Sequence, residues 1–346
     1  MLDSIIKFSI KSKLIIGVFM LGLIGWGIYS VQQLPIDAVP DITNNQVQII
    51  TSAPSQSAQD IERLVTFPIE MTMASIPNIE EVRSFSRFGL SVVTVVFKDN
   101  VDVYWARQQI NERLSEAKNQ IPDGVGTPTM APLTSGLGEI YQYTIYAEKG
   151  YEKEFPAMEL RSIQDWIVRR QLLGIEGIAD VSSFGGFLKQ YEVAIQPEKL
   201  LSLHVNINEV FEALAKNNEN TGGAYIDKNP KAYFIRSQGL IEKLDDIKNI
   251  VVKNTSNGTP ILIKDIGIVQ FGSAVRYGAM TRNGEGEVVG GIVMMLKGAN
   301  SSKVIKNVKE RISQIKESLP EGVEIRPFLD RTKLVDKAIR TVSTNL

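Results

Sequence analysis

The sequence predicts an α+β protein with one N-terminal transmembrane helix, two related βαββαβ modules, and an α+β domain inserted into the second module. Three observations support this prediction: an uncharged stretch near the N-terminus, a set of residues that recurs at one spacing, and a change of that spacing further along. A chain of 346 residues is also long for a single hydrophobic core. Several compact units are therefore expected.

The uncharged stretch, Leu14–Val31, has the length of a membrane-spanning helix. About eighteen residues at about 1.5 Å rise give about 27 Å, close to the hydrocarbon thickness of a bilayer. The flanking charges are Lys7, Lys11 and Lys13 before it and Asp37 and Asp41 after it. The positive-inside rule then places the N-terminus in the cytoplasm and the rest of the chain in the periplasm or outside the cell.

A cleaved signal peptide is the alternative interpretation of this stretch. Its end, Tyr29–Gln33, contains no small-x-small cleavage site, which favours a retained anchor. Four glycines within it, Gly17, Gly22, Gly25 and Gly27, are residues that let helices approach closely in lipid. It has no acidic or basic side chain, so it holds no group that could relay protons through the membrane.

Recurring residues indicate an internal duplication with an insertion. At a spacing of about 99 positions, Ile76, Ile79, Val82, Ser84, Phe85 and Phe88 recur as Ile175, Ile178, Val181, Ser183, Phe184 and Phe187. At a spacing of about 198 positions, Glu112, Arg113, Leu114, Pro122, Gly124 and Val125 correspond to Glu310, Arg311, Ile312, Pro320, Gly322 and Val323. The change predicts an insertion of about 99 residues in the second copy, between Phe187 and about Val288.

The first copy has the element order of a ferredoxin-like split βαβ module. Its predicted elements are a strand at 47–51, a helix opened by Ser57 with Asp60 at the capping-box position, strands at 82–88 and 90–97, a helix from Asp102, a turn at 122–124 and a strand near 127–133. Pro68 should kink or divide the first helix. The valine-rich strand at 90–97 should be covered on both faces.

The second copy repeats this order in two pieces. Its predicted elements are a strand at 140–147, a helix at 158–173 and a strand at 179–185, then a strand at 288–296, a helix at 304–319 and a strand at 323–328. The insertion has a strand at 191–196, a helix capped by Asn206 with Glu209, and strands near 232–237, 250–253 and 261–263. Asn217–Asn229 has the composition of an extended loop or arm, and Leu334–Val342 is amphipathic.

Composition excludes several classes of function. Hydrophobic residues make up 43% and charged residues 22% of the chain, so most of it faces water. The net charge of −1 gives no field that favours nucleic acid. The absence of cysteine removes disulfides and thiolate sites. The single histidine, His204, is interpreted as a partly buried ring, and no catalytic triad, phosphate loop or metalloprotease motif can be assembled.

Other distinctive residues are interpreted structurally. Met71 with Met73 and Met294 with Met295 are the close methionine pairs, and their spacing points the two thioethers to different sides. Core packing is therefore favoured over copper ligation. The pairs Gly185-Gly186 and Gly284-Glu285-Gly286 are interpreted as turns. Trp166, beside Gln164 and Asp165, is interpreted as a half-buried helix residue, with substrate contact as the alternative.

Several motifs together resemble the heavy-metal efflux branch of the resistance-nodulation-division (RND) transporters. They are Pro35-Ile36-Asp37-Ala38-Val39-Pro40-Asp41, Tyr104-Trp105-Ala106-Arg107, Gln164-Asp165-Trp166, Asn283-Gly284-Glu285-Gly286-Glu287-Val288 with Gly290-Gly291, and Leu319-Pro320-Glu321-Gly322-Val323 followed by Asp330-Arg331. The resemblance covers the whole chain. It implies the N-terminal part of a proton-driven pump that exports heavy-metal ions.

The resemblance also implies a domain organisation and partners. The expected segments are a cytoplasmic start and transmembrane helix at 1–34, a first porter subdomain at 35–134, a second porter subdomain split into 135–187 and 287–332, a docking subdomain at 188–286, and the start of a connection to a second transmembrane helix at 333–346. The implied assembly is a homotrimer in the inner membrane, joined to a periplasmic adaptor protein and an outer-membrane channel, with metal cations as substrate.

The resemblance assigns no catalytic, cofactor-binding or metal-ligating residue to this sequence. The proton relay and the methionine cluster of the family lie in parts of such pumps beyond residue 346, and no cofactor is expected. An enzyme is not predicted. The alternative function is a single-pass, membrane-anchored periplasmic scaffold or binding module that acts without transport.

Overall fold

The computed structural model describes residues 11–33, 42–54, 56–237, 239–255, 257–276 and 278–345. Lys7 and the motif Pro35–Asp41 lie outside the described residues. Contacts divide the chain into two compact units, of which the second consists of Tyr146–Asp165 and Phe184–Val289 and the first of the remaining residues. The domain boundaries expected from the sequence are finer than this division and stay a prediction.

The N-terminal helix α1 spans Lys13–Gln33. Within the described residues, it is the one helix long and apolar enough to cross a membrane, and the stretch Lys13–Ser30 is entirely unburied. Large apolar side chains, among them Leu14 and Trp26, are exposed along it. Exposed apolar surface on all sides is typical of a helix that is covered by lipid or by other helices.

The first module forms a four-stranded antiparallel sheet with helices. Its elements are β1 (Gln46–Ser52), α2 (Ala58–Ile61), a π turn (Glu62–Thr66), α3 (Phe67–Met73), β2 (Ile79–Arg87), β3 (Leu90–Phe97), α4 (Val103–Gln120) and β4 (Thr127–Met130). The strand order is β2-β3-β1-β4. In β3 every residue after Leu90 is buried, which confirms the prediction that both faces of this strand are covered.

Local sequence signals explain where these helices begin and break. The Ser57 hydroxyl accepts from the Asp60 N–H, so the helix opened by Ser57 is confirmed. The Asp102 carboxylate accepts from the Trp105 N–H, which explains why the second helix begins at the predicted position. The first helix is interrupted by the π turn directly before Pro68. The helical backbone nevertheless continues through Pro68 to Met73, so the structure has an irregular turn before Pro68 and not the division that the sequence offered as one possibility.

The core of the first module lies between its sheet and its helices. Ile49 and Phe97 on the strands pack with Ile61, Ile69 and Ile110 on the helices, and all five are essentially inaccessible to solvent. Burying one such side chain contributes about 1.5–3 kcal/mol. This cluster fixes the first module independently of the inserted residues.

The second sheet has the corresponding strand order. Its elements are β5 (Thr134–Ala147), α5 (Ala157–Ile163), a π turn (Gln164–Val168), α6 (Arg169–Leu173), β6 (Ile178–Phe184), β13 (Met280–Thr281), β14 (Glu287–Leu296), α11 (Ser301–Ser318) and β15 (Val323–Asp330). The order is β13-β14-β5-β15, with β6 also paired to β14. Helix α12 (Thr332–Asn345) follows. Without β13, the order β6-β14-β5-β15 matches β2-β3-β1-β4 element by element.

The residues between the two pieces of this sheet form three small sheets of their own. The elements are β7 (Lys189–Ile195), α7 (Pro197–Ser202), α8 (Ile207–Lys216), β8 (Thr221–Lys228), β9 (Lys231–Ser237), α9 (Leu244–Lys248), β10 (Val251–Asn254), β11 (Pro260–Leu262), α10 (Ile263–Ile266) and β12 (Gly267–Ser273). The pairs are β7–β12, β8–β9 and β10–β11. A separate core includes Val210, Ile247 and Ile263, and the predicted capping box of Asn206 and Glu209 is confirmed.

Some sequence expectations were wrong. The predicted loop Asn217–Asn229 is mostly strand β8, paired with β9. His204 is exposed and has a left-handed backbone with φ of 52°, so its ring is not partly buried. Met73 and Met295 are in the core as predicted, but Met71 is exposed. Strand β12 was not predicted at all.

Candidate functional site

The most distinctive exposed surface is the hairpin formed by β8 and β9. Tyr225 pairs with Phe234 and Ile226 with Tyr233 across the two strands. The hairpin pairs with no other strand among the described residues. It nevertheless carries five large exposed apolar side chains, Tyr225, Ile226, Tyr233, Phe234 and Ile235.

This hairpin cannot bury its apolar surface by itself. Phe234 is 84% exposed, although its ring lies near that of Tyr225, with ring centroids 6.2 Å apart and a tilt of 47° between the planes. An isolated two-stranded hairpin is marginally stable in water, and the register leaves large apolar side chains exposed on both of its faces. The hairpin is therefore a candidate interaction arm, as the sequence suggested for this segment, although its conformation is a strand rather than a loop.

A cavity of about 400 Å³ lies in the second unit, beside the bend at Gly185 and Gly186. Both glycines have left-handed backbones, with φ of 73° and 66°, which confirms the predicted turn. A Cβ on Gly186 would lie 2.7 Å from the Ala157 carbonyl oxygen, so the bend accepts only glycine at this position.

Two arginines line this cavity, and both are already paired. The Arg161 guanidinium contacts Asp165 at 2.8 Å and donates to the Gly185 carbonyl at 2.9 Å. Arg276 pairs with Glu287 and lies over the ring of Phe187. Because their charges are compensated, these arginines stabilise the bend rather than offer a free cationic site.

A second cavity of about 320 Å³ in the same unit is lined by Arg282. The Arg282 guanidinium lies over the Tyr146 ring, 4.3 Å from its centroid. Its Nη1 atom is buried and has no hydrogen-bond partner among the described residues. Glu152 lies at the rim of this cavity. Hydrogen bonds from the backbone N–H groups of Glu152 itself and of Gly150 to the Glu152 carboxylate lower its pKa. One buried donor next to an acidic rim could orient a small polar group, a role that was not predicted for Arg282.

The remaining residues singled out in the sequence are dispersed. Trp166 is 64% exposed and stacks against Arg170 at 4.2 Å, so the half-buried interpretation was wrong. Gln164, two residues earlier, is fully buried. Within the part of the chain that the structure describes, no group of three or more histidine, aspartate or glutamate side chains is placed to hold a metal ion.

Comparison with known proteins places these features in a family. A family model described as AcrB/AcrD/AcrF matches residues 5–346. The chain is 49% identical over 350 residues to the cation efflux system protein CzcA of Alcaligenes sp. (strain CT14). It is 48% identical over 350 residues to the cobalt-zinc-cadmium resistance protein CzcA of Cupriavidus metallidurans, and 39% identical over 346 residues to the cation efflux system protein CusA of Escherichia coli (strain K12).

These alignments cover 100% of this chain but 33% of each relative. The chain therefore spans about a third of the length of the curated relatives that it matches. A crystal structure of a heavy metal efflux pump, crystal form II, superposes with a TM-score of 0.85 at 33% identity, covering 98% of this chain and 33% of that chain. Since one family model spans nearly the whole sequence and the relatives are heavy-metal cation efflux proteins, the resemblance noted in the sequence is confirmed, and the chain belongs to the AcrB/AcrD/AcrF family.

Proposed function

We propose that this chain is the N-terminal part of a proton-driven RND pump that exports heavy-metal cations. The observation that carries the proposal is the similarity of the entire chain to cation efflux proteins. The chain's own features agree with a part of a pump rather than an enzyme. It has one candidate membrane helix, two sheets of corresponding order, and an apolar arm that requires a partner.

The test is metal resistance conferred by the complete reading frame that contains these 346 residues. A host strain without its own metal efflux pumps is grown on graded cobalt, zinc, cadmium, nickel, copper and silver. Expression should raise the tolerated concentration of one or more of these metals. Expression without any change in tolerance, or in the accumulation of the metals inside the cell, would favour the scaffold alternative.

The finer architecture is part of the proposal. The first module corresponds to a porter subdomain at 35–134, the second sheet to a porter subdomain split into 135–187 and 287–332, and the three small sheets to a docking subdomain at 188–286. Support comes from the matching strand orders β2-β3-β1-β4 and β6-β14-β5-β15 and from the separate pairing of β7, β8 and β10. Clefts between domains are the usual place for small-molecule sites, so we expect the ion to pass between the two porter subdomains.

The proposed topology places the N-terminus in the cytoplasm and the modules in the periplasm. Lys11 and Lys13 at the start of α1 support this orientation through the positive-inside rule. Alkaline phosphatase fused after Leu133 should therefore be active, and β-galactosidase fused at the same position should be inactive. The reverse pattern would contradict the orientation. Fusions that end before Leu14, and so lack the membrane helix, are the control for export.

The proposed assembly is a homotrimer joined to a periplasmic adaptor and an outer-membrane channel. The hairpin of β8 and β9 is the element that supports contact between subunits, because its apolar side chains are left uncovered in one chain. We propose that it reaches a neighbouring subunit.

Crosslinking between two differently tagged copies tests this contact. The natural chain has no cysteine, so a pair of introduced cysteines reports without background. One copy carries a cysteine at a position within Asn220–Tyr225, and the other carries a cysteine on the exposed face of the inserted domain, at Glu212 or Asp245. Disulfide-linked products that contain both tags are expected. A single cysteine at Lys118 on α4 replaces the one on the inserted domain in the control. Disulfide-linked products with both tags that are no more abundant than in this control would contradict the proposal.

A further inference from the structure

The passage from the last strand of the second sheet into the final helix is unusually short. Strand β15 ends at Asp330 and helix α12 begins at Thr332, so Arg331 alone connects them. Asp330 and Arg331 form a motif of the family resemblance, and neither has a role in the function proposed above. Their contacts show what holds this connection in place.

Asp330 joins three elements. One of its carboxylate oxygens contacts the Lys309 ammonium of α11 at 2.6 Å. The other accepts from the Thr332 N–H at 2.9 Å and from the Thr332 hydroxyl at 2.5 Å. The Lys309 ammonium also donates to the Thr332 hydroxyl at 2.7 Å, which closes a ring of three side chains. The start of α12 is thereby tied to α11.

Arg331 adds an independent attachment to strand β5. Its guanidinium donates to the Leu137 carbonyl at 2.8 Å, and its backbone N–H donates to the Ile140 carbonyl at 3.3 Å. Its own carbonyl accepts from the Leu334 N–H at 3.0 Å, within the first turn of α12. One residue therefore connects the helix to the centre of the sheet.

The charges of this cluster support its persistence near neutral pH. Burial alone would raise the pKa of Asp330, but hydrogen bonds from Lys309 and Thr332 and the Lys309 charge lower it. Nearby, burial and the Asp330 charge raise the pKa of Tyr141 to about 12, so this phenol stays neutral. A charged carboxylate that accepts charge-assisted hydrogen bonds holds its partners more strongly than a neutral group.

We infer that Asp330 and Arg331 are positioning residues that fix the first turn of α12 to α11 and β5, so that the helix moves with the second module as one body. A one-residue connection with anchors on two elements leaves little backbone freedom at this boundary. The use of this rigidity in transport rests on the proposed function, in which α12 leads from a porter subdomain towards the membrane.

Distances between spin labels in the 346-residue chain test the rigid attachment directly. The chain, reconstituted in lipid nanodiscs, carries labels at Lys306 on α11 and Asp336 on α12. A reference pair at Ser313 on α11 and Glu176 reports on the module alone. The parent chain should give a narrow Lys306–Asp336 distribution, and the combined variant Asp330→Asn with Arg331→Gln should broaden it by about twofold while the reference distribution is unchanged.

Substitutions at Thr332 provide a matched control for the hydroxyl. Thr332→Ser keeps the ring of hydrogen bonds and should preserve the narrow distribution, whereas Thr332→Val removes it and should broaden the distribution. An unchanged Lys306–Asp336 distribution in the double variant would overturn the inference. Broadening of the reference pair would overturn it as well, because these residues would then serve the folding of the module.

A second readout separates this inference from the proposed function. In vesicles that contain the product of the complete reading frame, Arg331→Gln should reduce the maximal rate of metal flux by about tenfold and leave the apparent KM unchanged, since the residue does not contact the ion. A raised KM with an unchanged maximal rate would count against positioning. Absence of flux from the parent protein would refute the proposed function and leave the distance measurement as the test of the attachment.

Discussion

Replacing Gly291 by valine is expected to destabilise the second module by about 3–5 kcal/mol, which is the cost of losing a large buried aromatic side chain. Gly291 lies in β14, directly against the ring of Tyr143, and a Cβ at this position would overlap the ring atoms. Tyr143 is completely buried. The ring therefore cannot tilt aside without displacing its neighbours, and it would have to leave the core.

The measurement is urea-induced unfolding of the chain in detergent micelles. The chain has three tryptophans, and replacing Trp26 and Trp105 by phenylalanine leaves Trp166 as the reporter of the second module. Gly222→Val is the matched control: Gly222 also lies in a strand, but its Cβ would meet nothing within 4 Å. The transition midpoint should fall sharply for Gly291→Val alone. Equal midpoints for the two variants would contradict the overlap with Tyr143.

The elements that could be predicted from the sequence are those with local causes. Pro68 cannot donate a backbone hydrogen bond, and the first helix is interrupted directly before it. The valine-rich strand β3 is buried on both faces because it lies inside its sheet and faces the helices. Asp102 and Asn206 cap their helices with hydrogen bonds that span two or three residues. The effects of Pro68 and of the two caps depend on neighbours in sequence, whereas the burial of β3 was indicated by its own run of valines.

The elements that could not be predicted depend on their pairing partners rather than on their own composition. Strand β12 begins with Gly267 and ends with Gly272 and Ser273, and its pairing partner β7 begins at Lys189, far earlier in the chain. Strand β8 contains Gly222 and Gly223, residues that favour loops. It becomes a strand because β9 follows immediately and pairs with it. Local composition carries no information about either pairing.

The exposure of Trp166 has a different cause. Gln164, Val168 and Leu172 are all buried, and residues at intervals of four lie on one side of a helix. The π turn Gln164–Val168 falls within this stretch, and the same side remains buried on both sides of it. Trp166, midway between two of them, faces away from the core. No proline marks this turn in the sequence, unlike the turn before Pro68.

Candidate functional features were the least predictable part. The unpaired nitrogen of Arg282 and the hydrogen bonds of Arg331 to β5 arise from contacts between residues that are far apart in the chain. The sequence marked Asp330 and Arg331 only as a family motif. The polar segment Asn217–Asn229 was interpreted as a loop or arm from its composition, whereas its pairing with β9 and the exposed apolar side chains of the resulting hairpin were not predicted.

The 346-residue chain by itself is expected to give no gradient-dependent accumulation of metal in inverted membrane vesicles. Proton-coupled transport requires ionisable side chains inside the bilayer, where they are costly and are retained for this purpose. The stretch Leu14–Val31 contains no aspartate, glutamate, lysine, arginine or histidine. The chain also spans about a third of the length of its relatives.

The experiment compares three vesicle preparations under an imposed proton gradient: the 346-residue chain, the product of the complete reading frame, and empty vesicles. Only the second should accumulate the metal to which it confers resistance. A route for ions through α1 alone would require several helices to associate, and its glycines could allow close packing but provide no polar lining. The chain should therefore match the empty vesicles both with the gradient and after its collapse by a protonophore. Metal accumulation above that of the empty vesicles, if it disappears with the protonophore, would mean that a group within these residues couples protons to metal movement. The proposal that proton coupling resides in other parts of the pump would then be wrong.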